Sequence, residues 1–239
     1  MIRRIISKIP IFITARGNNN DILHTNMESL KFSYLFIKEL NIFDQTFIIS
    51  DNVELLEYAK KLGFTKFIHY PCGTDKDIKY LEYLATYRYA VENNYKPDWI
   101  ILLNIDQLFK SKFLIADCIN NIDDNYDIVA SYTEISNRSN FFIDSNNKLI
   151  NNNKDHLLTS EHDRVKMIDA AIYAIKTTFA FSCMEYDDPA EHFWSGKIRY
   201  FKNRSLYTNI YNIDDIYKIY NIDKIIRDVK NLTANNSSQ

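Results

Sequence analysis

Glycine and proline are scarce in this chain of 239 residues, with four of each. A loop that wraps phosphate groups with bare backbone usually uses several glycines for close approach, and few are present. The three cysteines, Cys72, Cys118 and Cys183, are far apart and odd in number. They form neither a disulfide framework nor a zinc pattern, and suit buried thiols in a reducing compartment. The histidines, His24, His69, His156, His162 and His192, show no metal-ligand spacing either. No apolar run approaches the roughly 18 residues of a membrane span. Neither sign of charge dominates: the formal net charge is −2 and the pI about 6.2. The Lys and Arg excess of a nucleic-acid binder is missing. The expected partners are small molecules or proteins in the cytoplasm, with no nucleic acid and no membrane.

The hydrophobic fraction is 46%, enough for one large core. Asn, Ile, Lys and Tyr are abundant, a bias common in AT-rich genomes, so an Asn in a loop says little by itself. The opening MIRRIISKIPIFITARG has the charges of a signal peptide. Arg16 interrupts its apolar part and no small-residue cleavage site follows, so it is expected to form the first strand.

Short apolar runs alternate with helical patterns. Strands are expected at 9–15 (IPIFITA), 43–51 (FDQTFIISD), 66–70 (KFIHY) and 97–104 (PDWIILLN), then at 126–135, 167–176 and 197–203. Helices are expected at 28–40, at 53–64 with a stop at Gly63, at 77–94, at 111–122 and in the closing region. This alternation implies crossover connections and an α/β fold, doubly wound, with a mainly parallel sheet. One domain is expected over 1–230. A polar excursion at about 136–166 contains a hairpin, FFID and KLI around SNN, and reads as a small β-rich dimerisation arm. Residues 231–239 read as a disordered tail.

In such sheets ligands sit beyond the carboxyl ends of the strands. Four segments fall there: ARG at 15–17, SDN at 50–52, CGTDKD at 72–77 and NIDQ at 104–107. In the first, backbone N–H groups can meet phosphate and Arg16 can pair with it as a fork. In the second-to-last, Asp75 or Asp77 caps the following helix. Asp106, ending the most apolar strand, is either a metal or sugar-nucleotide ligand or a cap on the next helix. Asn212 and Asp214 share one side of an extended segment and can supply two oxygens to Mg²⁺.

Taken in order, these pieces resemble the acylneuraminate cytidylyltransferases (CMP-sialic acid synthetases), from about residue 9 to about residue 228. ARG matches the start of the family's ARGGSK-type loop, and FDQTFIISDNVELLEYAKKLGF its strand–SD–helix–Gly segment. GTDKD sits at its SDTAS-like segment, WIILLNIDQLFK at LLQPTSPLR, MIDAAIYAIK at its NGAIY strand, and NID at 212–214 near its DID acids. The resemblance implies transfer of CMP from CTP to a sialic-acid-like sugar acid, release of pyrophosphate, help from Mg²⁺, and a homodimer with a crossing arm. It implies catalytic roles for Arg16 and Asp214. Nucleotide contacts are implied for Ala15, Arg16, Gly17, Asn18, Asn26, Asp75 and Asn104. Substrate contacts are implied for Asp106, Gln107, Arg164, Lys166 and Asp169, and metal contacts for Asn212 and Asp214. The chain also departs from the pattern. Two loop lysines are Asn20 and Thr25, a following arginine is Lys110, and the first DID acid is Asn212. Each charged contact to phosphate is worth roughly 1.5–3 kcal/mol, so two further readings stand beside the first. One is a homologue that binds without turnover. The other is a nucleotide-sugar glycosyltransferase in which Asn104-Ile105-Asp106 is a weakened D-x-D motif.

Overall fold

The structure is a computed structural model. It describes residues 9–17, 20–69, 89, 96–108, 110–136, 141–143, 149–151, 164–183 and 195–204. Seven strands form one sheet: β1 (Ile11–Thr14), β2 (Thr46–Ser50), β3 (Phe67–His69), β4 (Trp99–Asn104), β5 (Ile128–Ser136), β8 (Arg164–Lys176) and β9 (Ile198–Lys202). Their order is β3-β2-β1-β4-β8-β5-β9. Strands β3, β2, β1 and β4 run parallel. Strand β8 is antiparallel to both neighbours, β4 and β5, and β9 is parallel to β5. The doubly wound, mainly parallel sheet expected from the alternation is therefore present, with one long reversed strand in it.

Strand β4 shows why the run WIILL reads as apolar throughout. Ile101 and Leu103 belong to the cluster on one face, with Ile11, Ile13, Leu30, Leu55 and Leu114. Ile100 and Leu102 belong to the cluster on the other, with Phe12, Ile49, Ala180 and Cys183. A strand covered on both faces needs apolar side chains at every position. The first face is covered by helices α1 (Asn20–Leu40), α2 (Val53–Leu62) and α3 (Leu114–Asn120), and the second by α4 (Thr177–Cys183). Helix α2 ends as its sequence implies, on Gly63 at φ 113°. That left-handed cap is strained for residues with a Cβ.

Helix α1 differs from expectation. It begins at Asn20 rather than near 28. Asn26, Ser29 and Ser33 occupy one buried face of its first half, so the apolar stripe that marks a helix is missing there. Part of the asparagine-rich stretch after Gly17 is thus the first turn of a helix. The expected helix at 77–94 and the closing helix lie outside the described residues, apart from helical Tyr89.

Beyond an irregularity between Ala130 and Tyr132, β5 and β8 continue as a ladder out to Ser136↔Arg164. The hairpin expected there is present as β6 (Phe141–Ile143) and β7 (Leu149–Asn151), paired antiparallel. Cys118 and Cys183 are buried free thiols, and burial pushes both upward in pKa. Cys72 lies outside the described residues. Among the described residues no helix is long and apolar enough to cross a membrane.

Candidate active site

The chain leaves β1 in one direction, through β2 to β3, and returns to the other side of β1 as β4. The strand order reverses between β1 and β4, which makes their carboxyl ends the switch-point crevice of this fold class. Thr14 pairs in register with Asn104. The loops that follow, Ala15-Arg16-Gly17 and Ile105 to Lys110, therefore leave the sheet side by side.

The first loop is held by three side chains, one from α1 and two from the turn between β2 and α2. Asn26 of α1 donates its Nδ2 to the Arg16 carbonyl at 2.7 Å. Asp51, just past β2, accepts the Gly17 N–H on Oδ1 at 2.9 Å. Asn52 donates Nδ2 to the Gly17 carbonyl at 3.0 Å. Its Oδ1 meanwhile accepts the N–H groups of Glu54 and Leu55, at 2.8 and 3.3 Å, and so caps α2. Buried Ala15 joins its N–H to the Ile49 carbonyl at 2.9 Å. A Cβ on Gly17 would stand 2.5 Å from the Asn52 Cβ. The glycine is required by that approach.

The second loop carries the charge. Asn104 Oδ1 accepts the Asp106 N–H at 2.9 Å, a turn closed by a side chain. Lys110 donates its Nζ to the Gln107 carbonyl and, at 3.3 Å, to Ser33 Oγ of α1. The Asp106 residue is exposed, but the protein round its carboxyl removes enough hydration to raise its pKa, against the pull of Lys110 and Arg16. Lys110 is partly buried, and desolvation of its ammonium brings it down to about 7, although Asp106 pulls the other way. Arg16, Asp106 and Lys110 thus form one electrostatic group across the two loops.

Of the residues proposed from sequence, Ala15, Arg16, Gly17, Asn26, Asn104, Asp106 and Gln107 converge at this crevice. Asp169 is placed on β8 beyond the pair Leu103↔Ile172, at the end alongside the carboxyl end of β4. Arg164 and Lys166 lie farther along β8, opposite Ser136 and Glu134 of β5. Asn18, Asp75, Asn212 and Asp214 lie outside the described residues. Asp51 and Asn52 were missed as individual site residues. Their signal was present in part, since S-D-N before an amphipathic run is a helix-cap signature.

The open α/β sheet, with the reversed strand beside β4, is a nucleotidyltransferase-like fold. It is similar to that of a CMP:2-keto-3-deoxy-manno-octonic acid synthetase complexed with CTP, at 13% identity, a TM-score of 0.61, and coverage of 96% of this chain and 99% of that one. A 4-diphosphocytidyl-2C-methyl-D-erythritol synthase from Anaerococcus prevotii matches at 13% identity and a TM-score of 0.53, over 84% of this chain and 93% of that one. The bifunctional IspDF from Campylobacter jejuni matches at 17% identity and a TM-score of 0.51, over 84% of this chain and 52% of that one. No family model and no curated protein matches the chain by sequence.

Proposed function

We propose that this chain is a cytidylyltransferase that moves CMP from CTP to a hydroxyl of a sialic-acid-like sugar acid. The observation that supports this most is the meeting of Arg16, Asp106 and Lys110 at the switch point. It occurs in a fold shared along nearly its whole length with a synthetase complexed with CTP. In the reaction the sugar hydroxyl attacks the α-phosphorus, the bond to the bridging oxygen breaks, pyrophosphate leaves with the electron pair, and the hydroxyl proton is released. Arg16 pairs with phosphate oxygens as a fork, and Lys110 adds a second positive charge when protonated. Preorganised cations of this kind stabilise the charge that develops on the leaving group. Asn104, Gln107, Asp169, Arg164 and Lys166 are the proposed contacts to the sugar acid and the nucleotide. The arm of β6 and β7 is the proposed contact with a second copy.

Mg²⁺ takes one or two carboxylates together with substrate phosphates. Asp106 offers such a carboxylate. Among the described residues no group of three or more His, Cys, Asp or Glu is placed to hold a metal ion. A lone carboxylate suits an ion carried in with the triphosphate. Once bound, such an ion neutralises triphosphate charge. Asn212 and Asp214 are proposed for the same ion.

Two observations favour a second reading, binding without turnover: the Gly17 N–H is engaged by Asp51, and the loop lacks lysine. Incubation with CTP, Mg²⁺ and a panel of nonulosonic acids, with pyrophosphate measured, separates the two. Release with one sugar supports the transferase. CTP binding by calorimetry without release supports the second reading, and neither binding nor release sinks both. Turnover of a nucleotide-sugar donor without pyrophosphate points to a glycosyltransferase.

A further inference from the structure

The Arg16 carbonyl and the N–H and carbonyl of Gly17 are gripped by three side chains from outside the loop. Asn26 takes the Arg16 carbonyl, Asp51 the Gly17 N–H and Asn52 the Gly17 carbonyl. This grip falls on two consecutive residues. It costs the loop the Gly17 amide, which would otherwise be a donor to an anion. It also places a carboxylate beside a loop proposed to face triphosphate. A cheaper loop would leave the amide open.

We propose that Asp51 and Asn52 are positioning residues: together they clasp Gly17 and thereby hold Arg16 at the crevice in the geometry that receives the triphosphate. The proposal rests on the CTP reading above. The clasp replaces backbone coordination of phosphate by a fixed arginine, in a chain with four glycines and no lysine in its loop. It explains why the residue after Arg16 is glycine, because Asn52 leaves no room for a Cβ. It also couples the loop to α2, since one Asn52 side chain serves both. Fixing a charged group in advance cuts the ordering cost that binding must otherwise meet.

Three variants separate this role from general stability. Asp51→Ala removes the acceptor. Asp51→Asn keeps an acceptor oxygen and drops the negative charge. Asn52→Ser keeps a good helix cap and loses the reach to the Gly17 carbonyl. Three quantities are measured: exchange of the Gly17 amide in the free protein by NMR, CTP affinity by calorimetry, and the melting temperature. The wild-type amide should be protected. Asp51→Ala should speed its exchange and weaken CTP binding at least about fivefold, about 1 kcal/mol. Asn52→Ser should weaken CTP binding by a similar factor at a nearly unchanged melting temperature. Asp51→Asn should bind CTP at least as tightly as the wild type, because the acceptor stays and the repulsion goes. A merely structural role would lower affinity and melting temperature together. An unprotected wild-type amide overturns the clasp itself. Unchanged CTP affinity in both Asp51→Ala and Asn52→Ser overturns its positioning role. If the wild type binds no CTP, the proposed function falls and takes the positioning role with it, while a protected amide still shows the clasp to exist.

Discussion

The loops after β1 and β4 leave the sheet side by side, yet they are held in opposite ways. The first is gripped from outside, by Asn26 of α1 and by Asp51 and Asn52 of the turn between β2 and α2. The second carries bonds between its own residues, Asn104 to Asp106 and Lys110 to Gln107, and reaches Ser33 of α1. The first fixes backbone. The second strips hydration from its charged groups, with Asp106 raised and Lys110 lowered in pKa. The geometry of the site should therefore depend on the first loop and its pH response on the second.

The strongest way to break this division is Gly17→Ala. The new Cβ would meet the Asn52 Cβ at 2.5 Å, so the loop or the α2 cap must move. A loss of about 1–3 kcal/mol in stability is expected, read by urea denaturation. CTP affinity should fall more than in any other variant considered. If neither moves, the loop is not held as tightly as its contacts imply. Next comes Arg16→Ala, which keeps the clasp and removes the charge. It should weaken CTP binding at least about tenfold, 1.4 kcal/mol. Unchanged affinity would make Arg16 an ordinary loop residue.

Lys110→Met tests the second loop. The folded pKa of Lys110 is about 7, below its ordinary 10.5. Between those values the unfolded chain binds a proton that the folded chain has lost. The contribution of Lys110 to stability therefore rises with pH across that window, and it is lost as pH falls through about 7. Lys110→Met should flatten the slope of unfolding free energy against pH in that window. A bound triphosphate favours the charged lysine, so CTP binding on the alkaline side of neutrality should take up a proton. Calorimetry in buffers of different ionisation enthalpy reads that uptake. Lys110→Met should abolish it and weaken binding about threefold to fivefold, under about 1 kcal/mol. An unchanged proton count would detach Lys110 from the site.

What was legible in the sequence followed local periodicity. Strand β4 and helix α2 were visible because an all-apolar run and an amphipathic run with a terminal glycine each identify themselves within a few residues. Arg16, Asn104 and Asp106 were visible because strand ends are where this fold class places its chemistry. The clasp was not, since its partners stand 34 and 35 residues from Gly17 and no local pattern reports such a contact. The reversal of β8 was hidden for the same reason. MIDAAIYAIK looks the same in either direction, and its orientation is set by pairing with β4 and β5. The start of α1 was hidden because its buried face there is polar.

That polar face supplies the finest comparison. Asn26, Ser29 and Ser33 follow one another at helical spacing between the two loops. Asn26 holds the first loop, and Ser33 receives the lysine of the second. Ser29 lies between them, fully buried, and its hydroxyl has no hydrogen-bond partner among the described residues. A buried hydroxyl without a partner is a net cost, and alanine is the better helix former. Ser29→Ala should therefore leave the melting temperature unchanged or raise it, a gain of at most about 1 kcal/mol. Ser33→Ala, which removes an acceptor from the Lys110 ammonium, should instead lower stability by about 1 kcal/mol or more. If Ser29→Ala proves as damaging as Ser33→Ala, the middle hydroxyl also holds a loop, and the two loops share one polar spine.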